Sequence, residues 1–175
     1  MMTQNLKEVE SYILVVGKTS GHLYQSEFFR EVLNIKDGPP PGINLFNEKN
    51  NGLLILKLIS KKLVNSVHDI SSGGMLIALS EMCIAGKIGA KIKIPSNNMG
   101  LHEYFFGEDQ SRYLIEINEK NKGEVTKLMD KNGVYYEIVG KTQKDSLDLD
   151  KEFNIKLSDL NKLKSMWFKN YFGEN

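Results

Sequence analysis

Val67-His68-Asp69-Ile70-Ser71-Ser72-Gly73-Gly74-Met75-Leu76-Ile77-Ala78-Leu79 joins the end of an apolar run to a small-residue turn and then to the start of a helix. Working outward, Leu63 to Ile70 reads as a strand. The helix runs to about Ala85, with Leu76, Leu79, Ile84 and Ala85 available for burial, and Gly86 ends it. Helix starts carry unpaired N–H groups and the positive end of the dipole, and glycines let an anion approach the backbone. An isolated Ser-Ser-Gly-Gly reads first as a tight turn that lets the helix pack on a sheet. His68 and Asp69 shift that balance, because they stand just before the turn, where polar groups would meet a ligand. His68, Asp69, Ser72, Gly73 and Gly74 are therefore candidate ligand-facing residues.

The chain has 175 residues, 41% hydrophobic and 26% charged, which reads as one globular unit with a sizeable core. Net charge is +1, so no electrostatic reason exists to expect nucleic acid or an anionic membrane as partner. No stretch has the apolar length of a membrane helix or of a signal peptide. Cys83 is the one cysteine and falls on the helix after the turn, with no base in view. It reads as core filler in a reducing, cytoplasmic setting.

The remaining elements follow from apolar period and punctuation. Tyr12 to Gly17 is a continuous apolar run and reads as a buried strand. Phe28 to Leu33 is expected to be helical with Ser26 as cap, and Asp37 to Gly42 a rigid proline-rich linker. Glu48 to Lys62 reads as a helix, Gly89 to Ile94 as a strand with one wet face, Leu101 to Phe105 as a short helical or irregular piece. Tyr113 to Ile117 and Val134 to Val139 read as strands, the latter closed by Gly140, with a helix over Lys122 to Lys131 between them. A hairpin is expected around Asp145 to Ile155, then a helix from Ser158 to about Phe172 that docks through Trp167 and Phe168. The mixed order predicts an α+β fold, a mixed or mostly antiparallel sheet covered by helices on one face. A core over about 12–142 and an extension over 143–175 form one domain in this reading.

Phe106-Gly107-Glu108-Asp109-Gln110-Ser111-Arg112 is the second dense polar cluster. Composition alone makes it as readily a solvated loop as a binding one. Its binding reading rests on Glu108, Gln110 and Arg112 projecting toward a ligand, since the guanidinium fork suits phosphate and the carboxamide both donates and accepts. His22 and His102 show no metal-ligand spacing and read as surface or loop residues, and no Walker loop or dinucleotide fingerprint is present.

Together the two clusters, with Ala78-Leu79-Ser80-Glu81-Met82, Gly89-Ala90, Gly21-His22-Leu23-Tyr24-Gln25-Ser26-Glu27 and Gly140-Lys141-Thr142, resemble the synthetase part of phosphoribosylformylglycinamidine synthase, of the aminoimidazole ribonucleotide synthetase superfamily. The likeness covers residues 12 to about 142, and the Phe-Gly-Glu-x-Gln-Ser-Arg form resembles the family's last C-terminal domain. It implies an aminoimidazole ribonucleotide synthetase C-terminal domain-like fold. It also implies an ATP- and glutamine-dependent conversion of formylglycinamide ribonucleotide to the amidine in purine biosynthesis. ATP and Mg2+ would be bound mostly by upstream synthetase domains, with a glutaminase subunit and a small accessory subunit as partners.

On this resemblance the chain by itself is expected to be inactive and to contribute no catalytic or metal-binding residue. Glu108, Asp109, Gln110 and Ser72-Gly73-Gly74 would face an interdomain cleft. Asp109 stands where the family usually has serine, and its charge would repel a close phosphate. Tyr24 and Gln25 stand where it has two glycines, which crowds that loop. An exposed apolar patch is expected where a neighbouring domain packs, with homodimers forming through it. The alternatives are a C-terminal domain of a sister family (aminoimidazole ribonucleotide synthetase, selenophosphate synthetase or thiamine monophosphate kinase) and a non-catalytic assembly module.

Overall fold

The computed structural model describes residues 2–95 and 98–173, with the side chains of 167–170 left aside. The apolar run at the start of the chain becomes β1 (Tyr12–Val16), an interior strand of a seven-stranded sheet. Its partners are β2 (Ser66–Asp69), β3 (Gly89–Ile92), β4 (Tyr113–Ile117), β5 (Tyr136–Gln143), β6 (Ser146–Leu149) and β7 (Phe153–Lys156). The order across the sheet is β2-β4-β1-β5-β3-β6-β7. All neighbours run antiparallel except β3 and β6, which are parallel, so the sheet is mixed.

Five α-helices pack on it: α1 (Leu45–Ser60), α2 (Gly74–Gly86), α3 (Leu101–Phe106), α4 (Glu119–Lys131) and α5 (Leu157–Phe172). They lie on both faces, not on one. Ile13 and Val15 of β1 join a core with Met75, Leu79 and Met82 of α2, Phe105 of α3 and Leu157 of α5. Leu14 and Val16 point the other way and join Leu54 and Leu58 of α1 with Val125 and Met129 of α4. A strand buried on both faces is apolar at every position, which is why β1 reads as a continuous run rather than an alternation. The docking role read for Trp167 and Phe168 lies outside the described residues. No helix among the described residues is long and apolar enough to cross a membrane.

Several boundaries move from their sequence-based positions for identifiable reasons. Helices α1 and α4 begin at Leu45 and Glu119 because Asn44 and Asn118 cap them. Asn44 Oδ1 accepts from the N–H groups of Phe46 and Asn47 at 3.1 and 3.0 Å. Phe28–Val32 forms a single π-helical turn, and Ser26 Oγ accepts from Phe29 N–H at 3.2 Å. Gly140 lies inside β5 instead of closing it. A Cβ there would fall 2.1 Å from Lys91 O, so glycine is what lets β3 pair so closely.

The segment before β1 is strapped to the body. Leu6 is buried and its N–H donates to Met82 O at 3.3 Å. The strap is held chiefly by Glu116 of β4, whose side chain is fully buried. Glu116 Oε2 accepts from Lys7 N–H at 2.9 Å and from Ser66 Oγ at 3.0 Å, and Oε1 accepts from Glu8 N–H at 2.9 Å. Cys83 is wholly buried, and burial pushes its thiol up to about 12, consistent with a packing role.

Candidate functional site

Strands β1 and β2 both pair antiparallel with β4, so both run the same way and end at the same edge as the start of β4. The loops leaving those ends therefore converge. They are the segment after Gly17, the Ser71-Ser72-Gly73 turn and the Gly107–Arg112 approach to β4. One side chain joins all three: Glu108 Oε1 accepts from Gly73 N–H at 2.8 Å and from Glu27 N–H at 2.7 Å, while Glu108 N–H donates to His22 O at 2.9 Å. A carboxylate at the start of α2 is favoured by the helix dipole. The anion position read from Ser-Ser-Gly-Gly thus exists, and the protein's own Glu108 occupies it.

Gly74 follows with φ of +70°, and a Cβ there would stand 2.7 Å from the backbone of Phe106. The second glycine is thus needed for contact with α3, not for approach by a ligand. Ser72 is exposed at the tip of the turn.

Asp109 fills a second anion position. Its Oδ2 accepts from Ser20 N–H at 3.0 Å and Gly21 N–H at 2.9 Å, and Oδ1 accepts from His22 N–H at 3.2 Å. Successive backbone N–H groups of this kind form a nest for an anion. Behind it lies Arg112, only 2% exposed, with Nη2 3.8 Å from Asp109 Oδ2. The guanidinium donates to Gly107 O, to Thr19 Oγ1 at 3.2 Å and to Asp109 O at 3.3 Å. Burial lowers its pKa, and the charges of Asp109, Tyr104 and Glu108 oppose that shift. Arg112 therefore braces the loop from within, and Glu108 and Asp109 turn their oxygens toward backbone N–H groups rather than toward open space. Gln110 is exposed and differs from all three.

His68 and Asp69 sit apart from this contact set. His68 Nε2 lies 3.0 Å from Glu81 Oε2 and Nδ1 lies 3.2 Å from Asp69 Oδ1, which ties β2 to α2. Asp69 lines a recess of about 140 Å³ together with Glu48, Gln110 and Tyr113. The Tyr113 phenol is pushed up there by burial and then by Glu48 and Asp69.

A larger cavity of about 550 Å³ opens between the Ser20–Tyr24 loop, the start of α1 and Gln110-Ser111. Its wall includes Lys18, Asn44, Asn47 and Asn51, none singled out from sequence. A signal was present: asparagines at 44, 47 and 51 recur at i, i+3 and i+7, a polar stripe on one helix face. Asn51 Nδ2 donates to Ser111 O at 2.8 Å, and Ser111 Oγ donates to Glu48, so α1 holds a residue whose φ is +64°. Tyr24 and Gln25 shape the rim. Gln25 Nε2 donates to Lys36 O and Gly38 O, both at 3.0 Å, and Tyr24 packs edge-on against Phe29 at 5.4 Å. His22 Nε2 lies 3.0 Å from Pro39 O, which makes it the donor. These contacts seat the proline-rich linker over the cavity. His102, exposed on α3, stacks on Phe28 at 5.0 Å.

The described residues include no group of three or more His, Cys, Asp or Glu side chains placed to hold a metal ion. What the cavity offers a ligand is amide, hydroxyl, imidazole and aromatic surface with one lysine, beside the carboxylates of Glu103 and Asp109. Phosphate-binding donors near it are already paired with Glu108 and Asp109.

Residues 13–150 match the family described as AIR synthase related protein, C-terminal domain. The phosphoribosylformylglycinamidine synthase subunit PurL of Pelagibacter ubique is 49% identical over 171 residues, 98% of this chain and 23% of that protein. T. maritima PurL complexed with FGAR superposes with a TM-score of 0.79 at 16% identity, over 91% of this chain and 29% of that one. PurLQS from Thermotoga maritima gives 0.69 at 18% identity, over 91% and 27%. At such identities the two structures show the shared fold. The chain spans about a quarter of the length of the curated relative it matches.

Proposed function

The chain belongs to the AIR synthase related proteins, as a C-terminal domain of that family, and from this premise we propose that it serves as the last domain of a phosphoribosylformylglycinamidine synthase. In that role it walls one side of a cleft in which the amide of formylglycinamide ribonucleotide is activated by ATP and replaced by ammonia. The observation that carries the reading is the 49% identity to the Pelagibacter ubique PurL along 98% of the chain. The convergence of the Ser-Ser-Gly-Gly turn and the Phe-Gly-Glu-Asp-Gln-Ser-Arg loop at one sheet edge gives it a physical site.

Within this reading the residues divide by what their polar atoms touch. Gln110, Ser72 and Asn47 face outward and supply neutral donors and acceptors to the cleft. Glu108, Asp109 and Arg112 fix the loops that present them, and Gly73 and Gly74 fix the turn. His68 and Asp69 border the smaller recess. T. maritima PurL has been solved with ATP, which supports nucleotide use by the enzyme. The residues of this chain do not suit a triphosphate or its magnesium, because the nearby N–H donors hold carboxylates and no acidic triad is present among the described residues. When bound, the nucleotide activates the amide oxygen, and the groups that hold it lie in upstream domains. The PurLQS assembly of Thermotoga maritima supports further subunits as partners, which in this reading are a glutaminase and a small accessory subunit.

The self-filled anion positions also favour a second reading, an assembly module with no ligand contact. One experiment separates the two. The isolated chain, given ATP, Mg2+, ammonia and formylglycinamide ribonucleotide, is expected to form no amidine. The same chain, exchanged for the matching segment of Pelagibacter ubique PurL, is expected to support the reaction, and Gln110→Ala with Asn47→Ala in that protein to raise KM. Amidine formation by the isolated chain overturns the reading, as does a folded exchanged protein without activity. An unchanged KM favours the assembly module.

A further inference from the structure

Helix α1 carries two apolar faces. Leu54, Ile55 and Leu58 are buried against the sheet. Leu45, Phe46, Leu53 and Leu56 fall on the opposite side at 3.6 residues per turn and are 76%, 72%, 55% and 62% exposed. Ile43, just before the helix, is 71% exposed. Five large apolar side chains in one stripe exceed the scattered exposure usual on a monomer. A recess of about 180 Å³ beside Leu53, lined also by Asn50, Lys57 and Asn132, gives the stripe a place to receive a side chain.

We propose that the outward face of α1, from Ile43 to Leu56, is the surface on which another domain of the same, longer polypeptide docks, with an apolar contact and a carboxylate opposite Lys49. This rests on the reading of the chain as one domain of a larger synthase. Two observations choose that occupant. The chain makes up 23% of the relative it matches along nearly its whole length, so most of such a polypeptide lies elsewhere. The only charged residues on the stripe are Lys49 and Lys57, both exposed. A two-fold contact between copies would set lysines against lysines, whereas a different surface can meet them with acid.

Thiol footprinting tests the proposal. Cys83 is wholly buried with its thiol pushed up to about 12, so it stays silent to a maleimide at neutral pH. Leu53→Cys and, as a remote control, Glu152→Cys are labelled in the isolated chain and in Pelagibacter ubique PurL carrying this chain in place of its matching segment. The introduced thiols are followed by mass spectrometry of their own peptides. In the isolated chain, sedimenting as a monomer, the two thiols should react at similar rates. In the exchanged protein Leu53→Cys should slow at least tenfold while Glu152→Cys does not. Equal rates for Leu53→Cys in both proteins overturn the proposal. So does concentration-dependent protection in the isolated chain with a dimer in sedimentation, which makes a second copy the occupant. An exchanged protein that fails to fold while the isolated chain folds also counts against it, since the faces then do not match. A second variant, Leu53→Glu with Leu56→Glu, should leave the melting temperature of the isolated chain within a few degrees and lower that of the exchanged protein; no change there overturns the proposal. Amidine formation is not part of these readouts, so failure of the proposed reaction and failure of the docking face are separable.

Discussion

Glu116→Gln is the substitution whose effect the structure defines best. The carboxylate is fully buried, and among the described residues no ion pair reaches it. Dipoles alone hold it: Lys7 N–H, Glu8 N–H and Ser66 Oγ–H, with Asn65 Nδ2 at 3.5 Å. A glutamine fits the same space but turns one oxygen into an NH2 group, so one backbone N–H faces a donor. An unsatisfied buried donor costs about 1–3 kcal/mol. Loss of charge weakens the bonds to the remaining oxygen by roughly 1 kcal/mol. Relief of the buried charge offsets part of this, leaving a net loss of about 2–3 kcal/mol. With a urea slope of about 2 kcal/mol/M for a chain of this size, the midpoint should fall by about 1–1.5 M.

The loss has a local signature as well. Without its anchor the strap before β1 detaches first, and trypsin should then cut after Lys7, which the native bond at 2.9 Å protects. Urea titration and timed trypsin digestion of the 175-residue chain measure both effects. Glu124→Gln, which removes only an exposed pair with Lys61, is the reference and should change little. A Glu116→Gln midpoint within 0.3 M of the parent (roughly the scatter of such extrapolations), with Lys7 still protected, would refute the claim that this carboxylate holds the strap.

Asp109→Ala removes the carboxylate from three N–H groups and leaves buried Arg112 without its anion, so a loss of about 3–5 kcal/mol is expected; millimolar formate should recover part of the melting temperature, and no recovery would contradict an anion nest. Gly74→Ala puts a Cβ 2.7 Å from the Phe106 backbone at positive φ, and a cost of roughly 2–4 kcal/mol should show in thermal melts. The Cys83 thiol is raised from 9.0 to about 12 in the folded state, so the unfolded chain ionises first. Its contribution is complete below pH 9.0 and declines as pH rises toward 12, by up to roughly 4 kcal/mol; Cys83→Ala should flatten the fall of the urea midpoint over that window.

Legibility in the sequence followed the range of the forces involved. Period and punctuation located the strands and helices, because burial of β1 is local; α2 ends one residue past the expected glycine stop, on a left-handed Lys87, and Gly86 instead makes room for Leu6. The two-sided layering was not readable, since Leu14 and Val16 look the same in sequence whether α1 and α4 cover them or solvent-facing loops do. Asparagine caps at 44 and 118 were visible but went unused, which set both helix starts three residues late. Glu116 reads as an ordinary wet-face strand residue. Its burial depends on the N–H groups of Lys7 and Glu8, more than a hundred positions away, and no local pattern carries that.

The two glycine motifs show the same point at the site. The Ser-Ser-Gly-Gly turn was legible as a place for an anion and does hold one, Glu108, whereas the Ser20–His22 nest that holds Asp109 carried no such reading. The Glu108-Asp109 loop thus supplies the anion for both the glycine turn and the Ser20–His22 nest, which ties three loops together at the sheet edge. A phosphate entering at the Ser20–His22 nest would have to displace a carboxylate held by three N–H bonds with a buried guanidinium behind it. Open to an incoming molecule are the amides of Gln110 and Asn47, the ring of Tyr24 and the ammonium of Lys18. On the proposed reading, this side of the cleft therefore offers a ligand neutral polar groups and the cation of Lys18.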